Sequence, residues 1–170
     1  MRRIVILFTL FISIGFLSAF KNLDSSLKKI PPGWKIEKNY LGIPIMIKGP
    51  FGKKHRSIIS LIDLEKADFS LSDSISDLSV YKEGRKKWVE KYRGKIIDFL
   101  TYKKSKVDGV NLHSVGLKYN IGGVVFIESS YYLDCKNDII HLKIVLPEER
   151  VLADSFFLKR VPGLIKCNLL

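Results

Sequence analysis

Residues 110–147 read VNLHSVGLKYNIGGVVFIESSYYLDCKNDIIHLKIVLP, and their period of two decides the fold class. Apolar side chains alternate through three runs, 110–119, 124–135 and 139–146, the pattern of strands with one buried side. Ile121-Gly122 and Lys136-Asn137 read as tight turns between them. Pairing through those turns sets Leu112 against Tyr131 and Tyr131 against Leu142, with His113 against Ser130 and Ser130 against Lys143. One face then carries Val110, Leu112, Ile127, Tyr131, Leu133, Ile140, Leu142, Ile144 and Leu146, which is a buried face. The other is mixed: His113, Val115, Leu117, Tyr119, Phe126, Glu128, Ser130, Tyr132, His141, Lys143 and Val145. A mixed face suits partial cover by a helix, with the polar members at its margin.

Upstream, residues 78–93 have a helical period, with Leu78, Tyr81, Trp88, Val89 and Tyr92 on one stripe and lysines over the rest. Gly94 is a natural stop. Before it lie a strand through Ile43, Ile45 and Ile47, placed at a sheet edge by Pro44, and a second strand over 57–65 with Ile58, Ile62 and Leu64 on one face. After it, 96–102 reads as a strand and 103–109 as a basic loop or hairpin end. Downstream, Pro147 opens a helix over 148–160 whose Val151, Leu152 and Phe156 are expected to face the sheet, and Pro162-Gly163 closes it. The fold class is therefore α+β: a twisted antiparallel sheet with helices packed on its faces, an α/β/α sandwich.

The N-terminus has the plan of a secretory leader, with Arg2-Arg3 ahead of an apolar run that ends near Ala19. This divides the chain into a signal helix at 1–19, a lead-in at 20–32 and a single domain at 33–170. The run is short for a permanent span, which wants about 20 apolar residues. An uncleaved inner-membrane anchor over residues 4–20 is the alternative. The net charge of +12 falls to +10 once Arg2 and Arg3 leave with the leader. An exported chain with that excess meets anionic lipid, polymer or acidic protein rather than nucleic acid. The basic clusters Lys53, Lys54, Arg56 and Lys103, Lys104, Lys106 are the candidate anion-binding loops, with membrane-surface association among the options. No aromatic platform adjoins them, so they do not read as single-strand nucleic-acid sites.

Two cysteines in an exported chain invite one disulfide. A strand leaving Cys135 travels roughly 25 Å. The helix after it returns roughly 20 Å, which brings Cys167 back to Cys135. The histidines lack metal-ligand spacing and no glycine-rich phosphate loop is present, so neither metal nor cofactor is expected. His113, Glu128, Ser130, Tyr132, His141 and Lys143 form the one polar cluster on the mixed face. It reads either as a small site, with a histidine serving as base to Ser130, or as a solvated face with a diagonal Glu128–Lys143 pair.

The element order, opened by Pro32-Gly33-Trp34, resembles the PsbP/DcrB-like superfamily of exported α/β/α-sandwich proteins. The similar stretches are 33–65, 81–92 and 119–157, the last with a Y…G…Y…D-x-x-x-x-x-L hairpin running into Pro147 and Phe156-Phe157. The resemblance implies helices on both faces of a twisted antiparallel sheet and a non-enzymatic accessory or binding role. The basic charge, the missing lipoprotein cysteine and the Cys135/Cys167 pair depart from it, and no site residue is carried over. The expectation is an exported, periplasmic or secreted accessory protein docking an anionic envelope component or acidic protein. A small Ser/His hydrolase is the alternative.

Overall fold

Alternation in sequence becomes one seven-stranded antiparallel sheet in the computed structural model, which describes residues 32–41, 43–52, 54–65, 78–136, 138–158 and 167. The expected leader, most of the lead-in, Lys53, Asn137 and the expected end of the last helix lie outside those residues. The strands are β1 (Lys35–Tyr40), β2 (Ile43–Gly49), β3 (Ser57–Glu65), β4 (Lys95–Val107), β5 (Val110–Ile121), β6 (Val124–Asp134) and β7 (Asp138–Pro147). Their spatial order is β1-β2-β3-β7-β6-β5-β4. Helix α1 (Leu78–Lys91) connects β3 to β4, and a 3-10 turn (Glu148–Arg150) leads into α2 (Val151–Leu158).

The meander forms with one correction. β6 and β7 pair as expected, Tyr131 against Leu142 and Ser130 against Lys143. β5 and β6 pair two residues away from expectation, Leu112 against Leu133 and Val115 against Ser130. The turn is Gly122-Gly123, both at positive φ (59° and 81°), rather than Ile121-Gly122. A tight hairpin turn wants left-handed backbone at both central positions, which two glycines supply without strain. A shift of two keeps every side chain on its face. The expected apolar face accordingly holds a deeply buried set: Leu133, Ile140, Leu142 and Ile144, continued by Ile59 and Leu61 of β3 and Ile45 and Ile47 of β2, all at most 6% exposed. Each buried side chain of this size stabilises the fold by about 1.5–3 kcal/mol.

The edges differ from expectation. β1 is a polar edge strand, KIEKNY, so β2 with Pro44 is internal. Pro44 is tolerated because β2 pairs with β3 only from Ile45 onward, and the facing stretch of β1 bends at Asn39 (φ 53°). At the other edge β4 extends to Val107, which pairs with Val110, so Lys103, Lys104 and Lys106 stand on an edge strand at the outer end of a hairpin, the second of the two expected alternatives. Register shifts between Ile96 and Asp98 and between Leu100 and Lys103 interrupt it. On β3 the buried set is Ile59 and Leu61, while Ile58 is 37% exposed on the opposite side.

Helix α1 lies on the mixed face. Val89 packs with Leu117 and Tyr119, while Leu78 and Tyr81 pack with Val115, Tyr132 and Ile139. Tyr92 ends the stripe 52% exposed, its ring against Trp88. The helix closes with Gly94 N–H donating to the Val89 carbonyl (2.9 Å) and Arg93 N–H to that of Glu90 (2.8 Å). Arg93 takes the left-handed conformation (φ 56°). Gly94 is needed for space, since a Cβ there would stand 2.5 Å from Ile121 and 2.6 Å from the Asn120 carbonyl.

Helix α2 is held by polar contacts. Ser57 Oγ donates to Asp154 (2.6 Å, buried), and Arg150 donates to the same carboxylate. Leu152 is 89% exposed and does not face the sheet. Asp154 is buried, and the side chain of Phe156, also expected to face the sheet, lies outside those described. Cys135 and Cys167 are disulfide-bonded, with Cα atoms 5.5 Å apart.

Candidate functional site

The site lies where α1 crosses β6 and β7. Alternation puts Glu128, Ser130 and Tyr132 of β6 and His141 and Lys143 of β7 on the helix-facing side, with Ser130 directly opposite Lys143 and Tyr132 opposite His141. Over them lie Tyr81, Arg85 and Trp88, spaced so that one side of α1 presents all three. Between helix and sheet is a cavity of about 340 Å³, bounded by these residues with Val80 and Gly84.

Its centre is a buried charge cluster. The Glu128 side chain is 1% exposed, and its Oε2 accepts from Arg85 at 2.7 Å and stands 3.5 Å from Lys143 Nζ. The diagonal Glu128–Lys143 pair is therefore formed, but not on a solvated face. The guanidinium of Arg85 lies 4.3 Å from the Trp88 ring centroid and Lys143 Nζ 5.8 Å from it, so the indole shields both cations. Arg85 and Lys143 against Glu128 leave one positive charge in excess.

Aromatic and imidazole groups form the walls. The His141 ring stacks on Tyr132 at 4.3 Å and 5°. Burial, followed by the charges of Lys143 and Arg85, pushes its pKa down to about 3, so the imidazole is neutral near pH 7. Burial likewise pushes the Tyr81 and Tyr132 phenols up and Lys143 down. Among the described residues four buried side-chain N or O atoms lack a hydrogen-bond partner; besides Glu37 Oε2 on β1, which is ion-paired with Lys48, they are Tyr81 Oη, Arg85 Nε and His141 Nε2. The last three belong to cavity-lining residues. Buried polar atoms are normally satisfied, and an unmade bond costs about 1–3 kcal/mol.

Of the six candidate pocket residues, five line this cavity and His113 does not. His113 lies opposite Tyr132 on β5, turned to β4, where its Nδ1 meets the Tyr102 hydroxyl at 2.7 Å. Burial and then Lys104 lower its pKa. Ser130 hydrogen-bonds Tyr132. An imidazole whose conjugate acid has a pKa near 3 is a weak general base at neutral pH. The two-imidazole arrangement that a Ser/His hydrolase would use is not assembled.

Sequence reasoning missed Arg85 and Gly84. A cation at the fourth position from Tyr81 and the third before Trp88 sits inside the apolar stripe, and that placement was the available signal. Gly84 is mid-helix, where glycine costs about 1 kcal/mol relative to alanine. A Cβ there would meet nothing within 4 Å, so no packing demand accounts for it.

The candidate anion-binding residues do not form one surface. Lys54 and Arg56 precede β3, at the end of the sheet where β7 finishes; Arg56 lies 4.5 Å from the Phe51 ring centroid. Lys103, Lys104 and Lys106 are exposed at the far end of β4, four strands away. That is about 19 Å across the sheet alone. Among the described residues no group of three or more His, Cys, Asp or Glu side chains could hold a metal ion, and no helix is long and apolar enough to cross a membrane.

No family model and no curated protein matches the sequence. Among solved structures, the solution structure of cyanobacterial PsbP (CyanoP) from Synechocystis sp. PCC 6803 superposes with a TM-score of 0.54 at 13% identity, covering 79% of this chain and 81% of that one. This chain has the PsbP fold. Two further structures align at a TM-score of 0.47: PA94 of Pseudomonas aeruginosa, a protein of unknown function and putative regulator (8% identity, 81% and 86% coverage), and LpqN of Mycobacterium tuberculosis, involved in cell envelope biogenesis (11%, 73% and 72%). The superfamily resemblance stands at the level of fold, on the CyanoP superposition.

Proposed function

We propose that this chain is an exported, non-catalytic binding protein of the cell envelope that docks an anionic partner. Support for export comes from the leader-like residues 1–19 and from the Cys135–Cys167 disulfide, a bond that persists in oxidising compartments. CyanoP lends its fold to the reading and no more. The observation that carries the docking half is the distribution of cations. Lys82, Lys86 and Lys91 on the outer side of α1 and Lys103, Lys104 and Lys106 on β4 are all exposed on neighbouring elements. Lysines on an edge strand also discourage pairing with another chain, so their number alone decides nothing. What favours docking is that the helix beside that edge repeats the same sign of charge.

Fractionation of cells carrying the full chain tests both halves. The chain should appear in the envelope fraction with about 19 residues removed, and should be released by roughly 1 M salt, where screening acts within about 3 Å. Reversing three charges, Lys103→Glu, Lys104→Glu and Lys106→Glu together, should release it at low salt. Recovery of wild type from the cytosol would refute export. Retention of the triple variant at wild-type level would refute the basic surface.

A further inference from the structure

The cavity under α1 has features that a merely structural ion cluster does not require. Its volume of about 340 Å³ equals that of roughly eleven liquid waters. That is too roomy for one inorganic anion and suits a small organic molecule. Two cations line it and share a single carboxylate, Arg85 at 2.7 Å and Lys143 at 3.5 Å from Glu128 Oε2. The rim is kept open by Gly84, where any other residue except proline would favour the helix more. Val80, one turn earlier, supplies an apolar lip and is 55% exposed.

The sign of the ligand follows from the charges. Glu128 neutralises one of the two cations, so an anion is favoured, and a second anionic charge would be left unpaired. The side chains of Arg85 and Lys143 are 15% and 26% exposed and have one carboxylate between them, so their N–H groups are donors suited to a further carboxylate oxygen. Beyond the polar end, the walls are the Trp88 ring, Tyr132 and Val80.

We propose that this cavity binds a small organic monocarboxylate, its headgroup taken by the cationic ends of Arg85 and Lys143 and its apolar body lying against Trp88 and Val80. The site is separate from the cationic surface of β4, so it stands or falls independently of the docking reading.

Acetate, hexanoate and benzoate serve as probes, with benzamide as the neutral isostere of benzoate. Each is titrated into the full chain by calorimetry, with the thermal midpoint as a second readout. Hexanoate or benzoate should bind saturably and raise the midpoint, acetate more weakly for lack of a body, and benzamide at least tenfold more weakly than benzoate. Gly84→Leu places a side chain across the rim at a solvent-exposed helix position. It should keep or raise the midpoint of the unliganded protein while weakening binding at least tenfold. The Lys103→Glu, Lys104→Glu, Lys106→Glu variant should bind as wild type. Absence of saturable binding by all three acids overturns the proposal. So does equal binding of benzamide and benzoate, or unchanged binding by a folded Gly84→Leu chain.

Discussion

The two faces of β6 and β7 are built from alternate residues of the same strands, yet they are stabilised in different ways. One side presents Leu133, Ile140, Leu142 and Ile144, whose burial needs no partner. The other presents Glu128, Ser130, Tyr132, His141 and Lys143, whose burial is favourable only where each polar atom is answered. Glu128 is answered by Arg85 and Lys143, while His141 Nε2 is not. An apolar set in those places would hold α1 at least as well. The contrast separates the part of the sheet that secures the fold from the part that tolerates a cost, and costs of this kind concentrate at sites with a task.

The contrast breaks most sharply at Glu128. Glu128→Ala leaves Arg85 and Lys143 buried without their anion and should destabilise by about 3–5 kcal/mol. Replacing all three together, Glu128→Leu, Arg85→Met and Lys143→Met, should be neutral or stabilising while abolishing any anion affinity. On the opposite face Leu142→Ala should cost about 2–5 kcal/mol, and no second substitution of polar character should rescue it. Chemical denaturation of the three variants checks the set. If the triple variant is as unstable as Glu128→Ala, the cluster is structural and the comparison fails.

The disulfide stabilises the meander without favouring either face. It closes a loop with a sequence separation of 32, for which chain entropy gives roughly 3–4 kcal/mol. Cys135→Ser with Cys167→Ser should lower the unfolding free energy by that amount and leave the cavity probes binding as before. Loss of their binding would mean that the tie also positions β6.

Acid should weaken only the mixed face. His141 in the folded chain has its pKa pushed down to about 3, against 6.5 for a free imidazole. Between those values the unfolded chain holds a proton that the folded chain does not. Stability therefore falls as pH drops from about 6.5 towards 3, by up to about 1.4 kcal/mol per unit. His113, lowered chiefly by burial, acts with the same sign. A His141→Phe chain should lose most of this slope, as followed by urea midpoints across the range. An unchanged slope would place the acid sensitivity elsewhere.

How much of this was legible follows from which signals are local. The alternation in 110–147 determined both faces, and the assignment survived a misplaced turn because the error was an even number of residues. Arg85 was not read as a site residue: its place inside the apolar stripe was the one local signal, but an arginine on a helix reads as surface until the sheet beneath it is known to carry a buried carboxylate. β1 was not legible either, because an edge strand such as KIEKNY buries almost nothing and so has no pattern. The same physics blurred the outer half of β4, where four consecutive exposed residues, Lys103, Lys104, Ser105 and Lys106, fit a loop as well as a hairpin end. Long-range ion pairing and edge pairing leave no period in the chain, whereas burial of one face does.

The smallest effect is the most pointed. Gly84→Ala adds a methyl where nothing lies within 4 Å, so packing neither gains nor suffers. Helix propensity alone then predicts a gain of about 1 kcal/mol. A natural chain that forgoes this gain at a cavity rim keeps the opening wide, and the methyl should narrow it without closing it. Calorimetry on Gly84→Ala should therefore show higher stability together with a modest loss of benzoate affinity, of a few fold. Gly84→Leu should extend the same trend. If alanine raises stability and leaves affinity untouched, while leucine also has no effect, the glycine is neutral drift on an exposed helix. The two faces of the sheet would then differ in composition but not in purpose.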